Sequence, residues 1–115
     1  MFHFDVQGTV AKSTHAGIPW LRFLRSRLAQ KVRFWPFDGW EVRPGCSLVA
    51  EVYPSLWRRA YPLEGATGDQ QDAYAVASWL RDADSDGRLA LALTPELTDF
   101  ERAVAEVEGW ILGLW

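Results

Sequence analysis

Asp69-Gln-Gln-Asp72-Ala-Tyr-Ala-Val-Ala-Ser-Trp-Leu80 is the stretch on which the fold turns. Ala73, Val76, Ala77 and Leu80 recur at intervals of three and four, which predicts a helix from about Asp69 to Ala83. Alanines on that face let a helix approach a sheet closely. Asp69 and Asp72 lie three residues apart and project from one side, so their carboxylates can converge. Two converging carboxylates can hold a divalent metal ion or exchange protons. The same spacing puts Asp69 at an N-cap and Asp72 at the third helical position, and capping then explains the pair without a metal.

Upstream, Phe2-His-Phe-Asp-Val6 alternates aromatic and polar residues and predicts a short strand. Gln7 to Gly17 reads as a loop of small and polar residues. Its Lys12-Ser13-Thr14 resembles the end of a phosphate-binding P-loop, but Ala11 stands where that motif needs glycine. The following helix, Ile18 to Leu28, places Pro19 in its first turn. Leu21, Leu24 and Leu28 predict its core face, and Arg22 and Arg25 share another face. Arg27 and Lys31 suit the negative end of the helix dipole. A solvated basic face explains these cations; phosphate contact is the functional alternative, with Lys12, Ser13, Thr14 and His15 near a helix N-terminus that favours anions.

Val32 to Phe37 predicts a strand whose Pro36 marks an edge or a bulge. Asp38-Gly39 and Pro44-Gly45 are turn signals, and Ser47-Leu-Val-Ala-Glu-Val-Tyr53 predicts a second strand. The short connection leaves too little chain for a helical crossover, so antiparallel pairing is expected. Glu51 stands out in this apolar run, because a buried charge is costly unless it is paired or metal-bound. A strand edge that lets Glu51 reach water is the plain alternative. Ser55 to Tyr61 predicts a short helix, and Pro62 to Gly68 a loop.

Downstream, Asp82-Ala-Asp84-Ser-Asp86-Gly87 copies the opening of an EF-hand loop, yet Leu93 occupies the position of its final glutamate. An acidic turn ending the helix accounts for the segment. Thr98 and Glu101 match a capping box. Phe100, Val104, Val107, Ile111 and Leu114 form an apolar stripe on the last helix, expected to pack on the core or on a partner.

The 115 residues suit one domain, residues 1–115, with an ordinary apolar content of 49%. Seven tryptophans point to heavy aromatic packing or interface use. Residues 1–60 carry nine Lys/Arg against four Asp/Glu, and residues 61–115 carry three against eleven, so the chain is basic first and acidic afterwards. The net charge of −3 does not by itself mark a nucleic-acid binder. One cysteine, Cys46, excludes an internal disulfide framework and suits a reducing, cytoplasmic setting. No apolar run approaches the roughly 20 residues that span a bilayer, so no membrane partner is expected. One Cys and two His give no zinc set, and no Ser or Cys nucleophile has an evident partner.

Glu51-Val-Tyr-Pro54, together with Asp69-Gln-Gln-Asp72-Ala-Tyr-Ala-Val-Ala, resembles RuvC-like members of the ribonuclease H-like superfamily. More closely, nearly the whole chain resembles an uncharacterised family of predicted RNase H-like nucleases. The segments Phe4 to Trp20, Phe34-Trp-Pro-Phe-Asp-Gly-Trp40 and Val104-Ala-Glu-Val-Glu-Gly-Trp110 carry that likeness. The resemblance implies an α/β class, a partial ribonuclease H-like fold with a small mixed sheet packed with helices. It implies a phosphodiesterase with Mg²⁺ or Mn²⁺ held by Glu51, Asp72 and Asp69, and nucleic acid as a partner. Lys12, Ser13, Thr14 and His15 are the expected phosphate contacts. No counterpart of the superfamily's first metal-binding Asp precedes Gly8. The chain therefore looks like a C-terminal half with the N-terminal strands missing, weakly active or inactive alone. A partial sheet exposes an edge, which predicts a homodimer covering it and some of the Trp-rich surface. A non-catalytic oligomerisation module that keeps the fold is the alternative.

Overall fold

A computed structural model describes residues 11–115. The predicted strand Phe2–Val6 and the start of the predicted loop, residues 7–10, lie outside the described residues. Helix α1 spans Ala11–Leu28, followed by a 3₁₀ turn over Ala29–Lys31. Strands β1, Val32–Trp35, and β2, Ser47–Ala50, come next. A 3₁₀ turn at Pro54–Leu56 leads towards α2, Gly68–Asp86, then α3, Arg88–Leu93, and α4, Asp99–Glu108. The architecture is mixed α/β.

The strands pair in parallel, with Val32 opposite Ser47 and Trp35 opposite Ala50. This overturns the antiparallel expectation for these two strands; among the described residues the sheet is this parallel pair. A four-residue strand is only about 13 Å long. The connection Pro36–Cys46 contains no helix and is still long enough to return to the starting end, because an extended chain covers about 3.3–3.6 Å per residue. Turns at Asp38, Gly39 and Cys46 fold it on the way, with the Asp38 amide donating to the Phe34 carbonyl at 2.8 Å. Glu51 extends β2 by a parallel bridge to Ile111, where the Leu112 amide donates to the Glu51 carbonyl at 2.9 Å.

Two predicted helix boundaries also move. Residues 11–17, expected as loop, belong to α1, and Pro19 sits inside that helix instead of in its first turn. Pro19 lacks the amide for one helical bond, and an interior proline ring also crowds the carbonyl four residues back, so this extension of α1 is made against a local penalty. In α2 the N-cap is Thr67, not Asp69: Thr67 Oγ1 accepts from the Gln70 amide, and the Gln70 side chain accepts from the Thr67 amide. Asp69 is the second helical residue, and Gln70 takes the third position that Asp72 was expected to hold. The predicted box at Thr98 and Glu101 does open α4.

Tryptophan decides which faces are buried. Trp35, Trp57, Ala75, Trp79, Ala83, Ala92 and Leu112 form the core. Trp57 and Trp79 stack with ring centroids 4.1 Å apart, and Trp40 meets Trp35 edge-on at 5.3 Å. The buried face of α2 is therefore Ala75, Ser78, Trp79 and Ala83, while Ala73 and Ala77 from the predicted face are exposed. Burying one indole outweighs burying two methyl groups, so Trp79 sets the helix phase.

Candidate functional site

In parallel α/β sheets, ligands bind beyond the carboxyl ends of the strands. Glu51 is the first residue past the carboxyl end of β2, and its side chain is exposed. A groove of about 560 Å³ opens beside it. Thr14, Ile18 and Leu21 of α1 form one side, Phe34 and Val49 come from the strands, and Glu51 also borders it.

Helix α1 is positioned over β1 chiefly by Arg25. Its Nη1 donates to Asp38 Oδ1 at 2.9 Å, and its guanidinium lies 4.5 Å from the centre of the Phe34 ring. Asp38 also accepts from the Phe34 amide at 2.8 Å. Burial pushes the Asp38 carboxyl up, but that amide and the charges of Arg25 and Arg33 outweigh it and hold the group below the usual carboxylate range. Asp38 thus ties the turn after β1 to both the strand and the helix.

Of the sequence-predicted residues, the groove brings Glu51 and Thr14 together. Lys12, Ser13 and His15 are on the same first turns of α1 and are exposed, though none of them lines the groove. Asp69 is exposed at the start of α2. Asp72 is half-buried and engaged: Arg58 donates to its Oδ1 from both Nε, at 2.7 Å, and Nη2. Neither Asp69 nor Asp72 lines the groove that holds Glu51. Among the described residues, no three His, Cys, Asp or Glu side chains form a group that could hold a metal ion.

No protein family, curated protein or solved structure matches the chain.

Sequence reasoning missed Arg58 as the partner of Asp72. The pair is fourteen positions apart across an irregular loop, and no periodicity connects them. It also missed Phe34 and Val49 as groove residues, because a periodicity argument sees a strand face without what stands opposite. The acidic segment, residues 82–86, is the C-terminal end of α2, which runs past the Ala83 expected from the spacing: Gly87 caps the helix in the left-handed conformation, and Asp86 pairs with Arg88 at 2.7 Å. Asp82 is held below the ordinary carboxylate range by Arg81 first and then by the Tyr61 hydroxyl. No helix among the described residues is long and apolar enough to cross a membrane.

Proposed function

We propose that this chain is part of an RNase H-like nuclease domain that acts on phosphodiesters of nucleic acid. The observation that carries the proposal is the placement of Glu51, an exposed carboxylate at the carboxyl end of a parallel strand pair, beside a groove walled by the first turns of α1. Thr14 borders that groove, and the basic helix α1 gives the phosphate backbone an attractive side. Mg²⁺ or Mn²⁺ is the cofactor this reading asks for, with Glu51 as its first donor. Asp69 and Asp72 are its further donors in this reading, and Asp72 becomes available once Arg58 releases it.

The test follows thermal unfolding during Mn²⁺ titration, together with cleavage of labelled DNA and RNA oligonucleotides. Stabilisation by Mn²⁺ that disappears in Glu51→Ala is the expected result. A wild-type chain whose unfolding ignores Mn²⁺ and Mg²⁺ sinks the metal-dependent reading.

A second reading, a non-catalytic association module, is favoured by a different observation. Ile18, Trp20, Leu21 and Phe23 on α1 and Phe100 and Val107 on α4 are all large, apolar and exposed. A homodimer is part of this reading, and β1 has no strand on its outer side among the described residues.

A further inference from the structure

We propose that a second copy of this chain docks its α4 into the groove between α1 and the strand pair, and that the exchange is reciprocal. This rests on the association reading, and an α4 seated there excludes nucleic acid from the same groove. Helix α4 turns Ala105 inward, while Arg102 and Glu106 reach Trp40; the Arg102 guanidinium lies 4.7 Å from the Trp40 ring, and the Trp40 Nε1 donates to Glu106 at 3.0 Å. That orientation leaves Phe100 and Val107 on the outside, 78% and 79% exposed, with the half-exposed Val104 between them. Their spacing of i, i+4 and i+7 is the anchor pattern of an amphipathic helix that lies in an apolar groove.

The groove suits that helix in size and charge. At about 560 Å³ it accepts several side chains, and Ile18, Leu21, Phe34 and Val49 give it apolar walls. Helix α1 carries Lys12, Arg22 and Arg27 besides Arg25, which Asp38 already pairs, and no acidic residue. Helix α4 carries Asp99 and Glu108, besides Glu101 in its capping box and Glu106 on Trp40, against the single cation Arg102. Opposite charges flanking two apolar stripes set both the register and the choice of partner.

Continuity of the surface makes reciprocity possible. Glu51 borders the α1 groove and also a smaller cleft with Glu108, Gly109 and Trp110, and those three residues border the hollow beside Phe100 and Val104. Groove and anchor helix therefore lie on one run of surface, as a self-complementary two-fold contact requires. Two copies of the α1–α4 contact form in each dimer.

Sedimentation velocity over a wide dilution range tests this on the full chain, with circular dichroism to check folding. The wild type should form a concentration-dependent dimer that weakens in high salt. Val107→Lys, at a solvent-exposed position, and Arg22→Glu should each weaken it about tenfold or more. Arg22→Glu combined with Glu108→Arg should recover most of the loss, which a merely structural effect of either change would not do. A chain that stays monomeric throughout overturns the proposal. So does a dimer indifferent to both variants, which would place the contact at the β1 edge. A monomer that shifts only when oligonucleotide is added also overturns it and assigns α1 to a polyanion.

Discussion

Arg58 holds Asp72 through two nitrogens on one carboxylate oxygen, so one of the two carboxylates most expected to face a ligand faces a cation of its own chain instead. The pair fastens the segment after the Pro54–Leu56 turn to α2, beside the Trp57–Trp79 stack. Half of the Arg58 side chain is exposed, and an ion pair in such a setting contributes at most about 1 kcal/mol. Urea unfolding of Arg58→Ala, Asp72→Ala and the double variant should therefore give a coupling energy of about 1 kcal/mol or less. A coupling of several kcal/mol would mean that the pair is far better shielded from water than its exposure indicates.

Asp38 should make the chain sensitive to acid. Its folded-state pKa is depressed below the unfolded value of about 3.9, so the unfolded state takes up the proton more readily. The associated stability is present above that value and is lost as pH falls through the folded pKa. Stability measured by denaturant between neutrality and strong acid should decline below about pH 4 in the wild type. Asp38→Asn should be less stable at neutral pH and show a shallower decline. Parallel acid profiles for the two proteins would remove Asp38 from the account.

How much of this was legible depends on what kind of information each feature needs. The existence of α2 follows from the spacing of its apolar residues. Its cap lies at Thr67, where Thr67 and Gln70 carry the same three-residue signature as Thr98 and Glu101, while Asp69 fits an N-cap by residue type alone. The burial phase of α2 eluded the apolar count because Trp79 outweighs the alanines around it. Strand direction is not encoded in the residues of β1 and β2 at all. It is decided by the connection Pro36–Cys46, which returns without a helix. Glu51 was conspicuous by type, while its neighbourhood with Thr14 comes from the way Arg25 and Asp38 set α1 over β1.

Gly113 and Gly17 should respond in opposite directions to alanine. Gly113 has φ +82°, and a methyl group there would stand 2.8 Å from Trp57 Cζ2 and 3.4 Å from Trp79 Cη2. The backbone conformation alone costs about 1–3 kcal/mol for a side chain, and the rigid indoles cannot yield easily. Gly17 lies within α1, and apart from the helix's own backbone and its two chain neighbours nothing stands within 4 Å of an added methyl. Gly17→Ala should raise the helical signal and stabilise α1 by about 0.5–1 kcal/mol. Thermal unfolding followed by circular dichroism separates the two, and equal effects would contradict the positions assigned to them.

Trp79 and Trp20 test whether the tryptophans divide into packing and surface residues. Trp79 is 6% exposed, stacks on Trp57 and belongs to the core cluster, so Trp79→Ala removes a large apolar group that its neighbours cannot replace. The expected loss is about 3–5 kcal/mol, a large share of the roughly 5–15 kcal/mol that keeps a domain folded. Trp20 is 70% exposed on α1 and meets Phe23 edge-on at 6.2 Å. Replacing it by alanine should change stability by no more than about 0.5 kcal/mol at dilutions where the chain is monomeric. Unfolding in urea monitored by near-ultraviolet circular dichroism reads both variants. A Trp20→Ala loss comparable to that of Trp79→Ala, in a chain shown to be monomeric, would mean that α1 packs far more tightly than its exposed apolar residues allow.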